Sequence, residues 1–297
     1  MNPGIAYAFS AFTIWGLFPV YFKTLHQIPA LEMLAHRMAW SLVFIVAVLL
    51  VRHHWAWLGP ALRDRRLVAR FAASAVLLSA NWGIYIWAVN AGHIVEASLG
   101  YFINPLINVL FGYAFLRERL RASQWCAVAL AALGVAWLTW QNGAPPWISL
   151  ALALTFGGYG LLRKTAQLGA LEGLALETVL LFPVAVVYLT IIGMAGASHF
   201  AHAPLGMQLL LAAAGPVTAV PLLLFAAAAR RIPLSMLGLI QYVTPTLQLL
   251  TGVLIYGEPF GSTRAIGYGA IWIALALYSF EGLRATIRAA QRSREAA

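Results

Sequence analysis

Long stretches without a charged residue alternate with short basic or turn-rich inserts along the whole chain. Residues 71–95, 97–116 and 232–257 are such stretches, each long enough to cross a hydrocarbon core of roughly 30 Å as a helix. Two double-length runs, 122–162 and 178–229, are divided by QNGAPP at 141–146 and ASHFAHAPLG at 197–206. Cutting at these turn-forming inserts predicts ten spans, near 4–22, 32–51, 71–90, 97–116, 122–140, 147–163, 174–193, 207–228, 235–256 and 264–281. The expected fold class is an all-α polytopic membrane protein, with no segment left over for a soluble domain.

Composition agrees with this pattern: 62% of residues are hydrophobic and 9% charged, and the mean hydropathy is +0.82. The net charge of +10 would suit nucleic acid, but its placement gives another reading. With ten spans and an inner N-terminus, sixteen of the nineteen Lys and Arg fall in inner loops or the tail; Lys23, Arg37 and Arg264 are the exceptions. That asymmetry orients a membrane protein, with both termini cytoplasmic and the basic loops meeting anionic lipid. No nucleic-acid partner is expected. Cys126 stands alone in the fifth span, so neither a disulfide nor a thiolate metal site is predicted. The N-terminus lacks a basic n-region and its apolar run is of spanning length, so it reads as a retained span rather than a cleaved signal.

The chain also aligns with itself. A shift of 140 residues lays LGYFINPLINVLFGYAFLRE (99–118) on LIQYVTPTLQLLTGVLIYGE (239–258) without a gap. Pro105 meets Pro245, Gly112 meets Gly252 and Glu118 meets Glu258; Asn104 meets Thr244, Asn108 meets Gln248 and Tyr101 meets Gln241. Two five-span halves, 1–140 and 147–283, followed by a basic tail at 284–297, are therefore predicted. Because five is odd, the second half enters the membrane upside down, the arrangement of transporters that bind solute between inverted repeats.

These blocks, with WGLFPVYFK in the first span and YGLLRK in the sixth, resemble the EamA-type drug/metabolite transporter superfamily, and more narrowly its RarD branch. The resemblance covers nearly the whole chain. It implies ten helices, a cell inner membrane location, export of small metabolites or drugs, and a central cavity lined by the first, third and fourth helices of each half. It names no cargo.

Candidate site residues follow from spacing. Tyr101, Asn104 and Asn108 recur on one face of the fourth span, and Gln241, Thr244 and Gln248 on one face of the ninth. Amides facing lipid are costly, so both faces should point inward. Pro105 and Pro245 are expected to kink these helices and hold a cavity open. The alternative is that the amides only bridge helices. Trp15, Asn81, Trp82, Tyr85 and Tyr159 add an aromatic wall, which with a few amides suits a small amphipathic, amino-acid-like or aromatic solute. Lys23, Arg37, His93, Glu96 and Glu177 are the charges in or beside spans, read either as gating or coupling groups at the two mouths or as snorkelling interfacial charges. Arg37 and Glu177 occupy equivalent repeat positions with opposite sign. Glu118 and Glu258 read as helix-end features. No cofactor, catalytic residue or metal site is predicted, and a monomer is the working expectation. Two other classes stay open, an integral-membrane enzyme and a non-transporting scaffold or receptor, although no HExxH or GxSxG motif is present.

Overall fold

The structure, a computed structural model, describes residues 2–25, 27–90, 94–142, 147–257, 261–262, 265–274, 276–277 and 280. The first half comprises α1 (Pro3–Gly16), α2 (Phe18–Thr24), α3 (Ala30–Val51), α4 (Leu58–Arg63), α5 (Arg65–Asn90), α6 (Ile94–Leu116) and α7 (Ala122–Asn142). The second comprises α8 (Trp147–Lys164), α9 (Ala170–Met194), α10 (His199–His202), α11 (Leu205–Ala229), α12 (Leu234–Ile240), α13 (Val243–Leu250) and α14 (Ala265–Ala274). A π-helical turn, Thr251–Ile255, continues α13.

Among the described residues, eight helical stretches are long and apolar enough to cross a membrane. They match the expected spans except the sixth and the tenth. The sixth, α8, ends on Arg163 and Lys164 and carries Gly157, Gly158 and Gly160, which lower its hydropathy. It can be less apolar because it is packed on several sides, by α5, α6, α11 and α12. The tenth is described as the shorter α14.

Prolines act differently in the two halves. Pro105 sits inside the unbroken α6, so the expected kink does not interrupt that helix. Pro245 has no N–H for the Gln241 carbonyl four residues back, which instead accepts from the Thr244 N–H at 3.0 Å. The ninth span accordingly breaks between α12 and α13. The first span breaks too, at Leu17, two residues before Pro19. The Trp15 carbonyl, which Pro19 cannot serve, accepts a bond from the Gln248 side chain at 3.4 Å.

Contacts define the two ends of the bundle. At the basic end His54 lies 2.7 Å from Glu172, Lys164 donates to the carbonyls of Ala229 and Ile232, and Arg230 donates to that of Leu168. Glu118 caps α12 there, accepting from the N–H groups of Leu234 and Ser235 at 2.6 and 3.0 Å, where a carboxylate is favoured by the helix dipole. At the opposite end Glu32 accepts from the N–H groups of His199 and Phe200, and the Tyr21 hydroxyl donates to the Leu210 carbonyl. Glu258 lies outside the described residues.

The core runs between the halves. Ala8, Ala11 and Phe12 of α1 pack with Leu222, Phe225 and Ala229 of α11 and with Tyr159 of α8. Gly215 of α11 brings that helix so close to α3 that an added Cβ would lie 2.4 Å from the Trp40 carbonyl group. Small residues permit this kind of contact where no hydrophobic drive separates helix from lipid.

Candidate functional site

A cavity of about 240 Å³ lies between the halves. From the first half its wall takes residues of α1, α2, α3, α5 and α6, and from the second residues of α8, α11, α13 and the link between α12 and α13. Nine residues expected from the sequence line it: Trp15, Asn81, Trp82, Tyr85, Tyr101, Asn104, Gln241, Thr244 and Gln248.

The polar side is tied into the bundle. Asn104 donates to the Ala153 carbonyl at 3.1 Å, and Asn81 donates to the Leu152 carbonyl and the Thr155 hydroxyl at 2.9 and 3.0 Å. Thr244 donates to the Phe12 carbonyl at 2.8 Å. These bonds fix the amides and the hydroxyl, so the wall is preorganised rather than soft. The aromatic side is formed by Phe12, Trp15 and Phe156, backed by the buried Phe225, with contacting ring centroids 5.4 to 6.1 Å apart. Tyr85 and Tyr101 meet edge to face at 6.0 Å on another part of the wall.

Two expected lining residues are not on the wall. Asn108 is fully buried, donating to the Asn104 and Gln241 side-chain oxygens at 3.1 and 2.9 Å. It is shut in because α8 presents glycines there: the Cβ sites of Gly157 and Gly160 lie 3.5 and 3.6 Å from its Oδ1. Tyr159 is also fully buried, stacked on Phe225 with centroids 5.8 Å apart. Its neighbour Phe156, three residues earlier on α8, reaches the cavity in its place.

The charges are distributed differently from two rows at the mouths. Arg37 lines the cavity itself, its Nε donating to the Thr218 hydroxyl at 2.9 Å. Its guanidinium carbon lies 4.9 Å from the centre of the Trp82 ring, 5.3 Å from Phe22 and 5.8 Å from Phe18. Glu177 is fully buried toward the basic end, within 3.6 Å of Arg163 and accepting from Ser74. Lys23 sits over the Tyr256 ring. His93 lies outside the described residues, and of Glu96 only the backbone, in the first turn of α6, is described.

Sequence reasoning missed Phe12, Phe18, Phe22, Phe156, Thr218 and Leu222 as lining residues. For Thr218 the signal was a hydroxyl beside Pro216 and Pro221 in an otherwise apolar run. The aromatic residues carry no pattern that separates cavity from core.

Comparison with known proteins adds kinship to this geometry. A model of the EamA-like transporter family matches residues 2–140. An uncharacterized transporter of Pseudomonas aeruginosa is 49% identical over 291 residues, covering 98% of each chain. The protein RarD of Streptomyces exfoliatus is 46% identical, covering 99% of this chain and 93% of its own. A solved crystal structure shares the fold with a TM-score of 0.70 at 19% identity, covering 92% of this chain and 96% of that one.

Proposed function

The chain belongs to the EamA-like transporter family, in its RarD-like branch, and we propose that it exports small amphipathic solutes across the cell inner membrane by alternating access of two inverted five-helix halves. It is a multi-pass membrane transporter and not an enzyme, which sets aside the enzyme reading left open by the sequence. The observation that carries the proposal is the cavity between the halves, with wall residues from both. Its volume of about 240 Å³ falls below the roughly 300–1,000 Å³ of sites for drug-sized ligands, which favours a metabolite-sized cargo.

Reciprocal contacts support the inverted repeat. The Cβ site of Gly16 on α1 lies 2.7 Å from Leu247 on α13, and that of Gly157 on α8 lies 2.7 Å from Ile107 on α6. Positions 107 and 247 differ by 140. Glu32 on α3 holds His199 at one end, while Glu172 on α9 holds His54 at the other; the two glutamates also differ by 140. Helix pairing follows the same rule, since α5 packs on α8 as α11 packs on α1. The basic end is assigned to the cytoplasm by the positive-inside rule, together with both termini. The wall residues of α1, α3, α5 and α6 lie in the parts of their helices nearer the opposite end, so this arrangement reads as an outward-facing state. Alternating access then requires the buried layer of Tyr159, Phe225 and Asn108 to separate.

The test is chemical blockade. With Cys126 replaced by Ala and Phe156 by Cys, proteoliposomes are loaded with a bacterial metabolite extract and the released solutes identified by mass spectrometry. A bulky maleimide at position 156 should abolish protein-dependent release. Undiminished release from fully labelled protein would remove the cavity from the transport route.

A further inference from the structure

Arg37 is the one charged side chain among the described residues that line the cavity. A cation at membrane depth is expensive unless an opposite charge or a full set of hydrogen bonds offsets its lost hydration. The described groups in contact with Arg37 are neutral: the Thr218 hydroxyl on Nε and the rings of Trp82, Phe22 and Phe18. Among the described residues, carboxylates contact histidines at Glu32–His36, Glu32–His199 and Glu172–His54 and an arginine at Glu177–Arg163; none of these contacts includes Arg37. The contrast with position 177 is informative, because there the equivalent charge has its counter-ion within the protein.

We infer that the missing counter-ion is the cargo, and that the cavity takes aromatic monocarboxylates whose carboxylate pairs with Arg37. This rests on the transport reading above and sharpens its substrate class. The guanidinium fork matches a carboxylate bidentately, and a single cation balances a single negative charge rather than a phosphate dianion. The Tyr85 and Tyr101 hydroxyls share the same wall and are of the type that donates to an oxyanion. The other side of the cavity, Phe12, Trp15 and Phe156, suits an aryl or extended apolar body.

The wall also selects against positive charge. None of the described lining residues is a carboxylate. The side-chain oxygens of Asn104 and Gln241 already accept from Asn108. An ammonium group would therefore meet Arg37 without an anion to offset it, which disfavours amines and makes amino-acid zwitterions poorer ligands than the corresponding acids.

Four probes of nearly the same shape separate these cases: 3-phenylpropionate, 3-phenylpropionamide, 3-phenylpropylamine and phenylalanine. At about pH 7.5 the acid is ionised and the amine protonated. Binding to the purified full-length protein is read by titration calorimetry. The acid should bind at least about tenfold more tightly than the amide, a factor appropriate to one charge-assisted pair, with the amine and phenylalanine weaker still. R37Q should bring acid and amide within about twofold of each other, while R37K, which keeps the cation, should retain part of the preference. An amide or amine that binds as well as the acid would overturn the inference while leaving the cavity and its blockade intact. So would an acid preference that survives R37Q, or no binding of any of the four at millimolar concentration. If R37Q does not fold, the order of the four probes on the wild-type protein still decides.

Discussion

Asn104 and Asn108 stand one helical turn apart on α6, yet one meets the cavity and the other meets glycines. The second is a structural bridge: it holds Asn104 and Gln241, the wall amides of opposite halves, in place. Asn108→Leu should lower stability by about 1–3 kcal/mol, because the oxygens of both partners lose a buried donor. The accompanying change in solute affinity should come from reorientation of Gln241, so Gln241→Ala in the leucine background should add little. A melting temperature equal to wild type, with affinity alone reduced, would return Asn108 to the binding wall. Glu177 is tied into the protein in a similar way, by Arg163 and Ser74. Glu177→Ala leaves Arg163 buried without its counter-ion and should cost about 3–5 kcal/mol, read by thermal denaturation in detergent. A normally stable variant that fails only in transport would instead support the gating role expected from the sequence.

Elements show which features the sequence could disclose. The amide stripes on α6 and α13 were legible because a polar residue at helical spacing in an apolar run has few places to go. That Asn108 lies behind the wall was not legible, because it depends on where α8 approaches α6, and that is set by Gly157 and Gly160 in a distant segment. Arg37 was legible as a charge near a span end, but breaks in the neighbouring helices draw the cavity around it. α2 begins at Phe18 only because the first span breaks at Leu17, and both Phe18 and Phe22 of that short helix face the guanidinium. Close helix contacts give the prediction at this scale. Gly215→Ala would press a methyl into the Trp40 carbonyl group and should destabilise by about 1–3 kcal/mol. Gly83→Ala on α5 meets nothing within 4 Å and should be neutral or stabilise by up to about 1 kcal/mol. If the two variants melt alike, the approach of α3 to α11 is not tight.

At the scale of the whole molecule, the all-helical polytopic plan was readable from punctuation, whereas the state of the cavity was not, since one sequence serves every state of a transport cycle. The orientation is tested by single cysteines in a C126A background: position 201 should react with an impermeant thiol reagent in intact cells, and position 65 should not. Reaction at 65 would invert the assignment. The basic end also bears on biogenesis. Each half carries its own cluster there, Arg63, Arg65 and Arg66 with Arg117 to Arg121 in the first and Arg163, Lys164, Arg230 and Arg231 in the second. A ribosome delivers helices to the membrane before their partners exist, so each half is addressed independently of the other. Two separate messages, one for residues 1–142 and one for 147–297, should therefore yield polypeptides that insert with opposite polarity and find each other in the bilayer, recovered together when either is purified by an affinity tag.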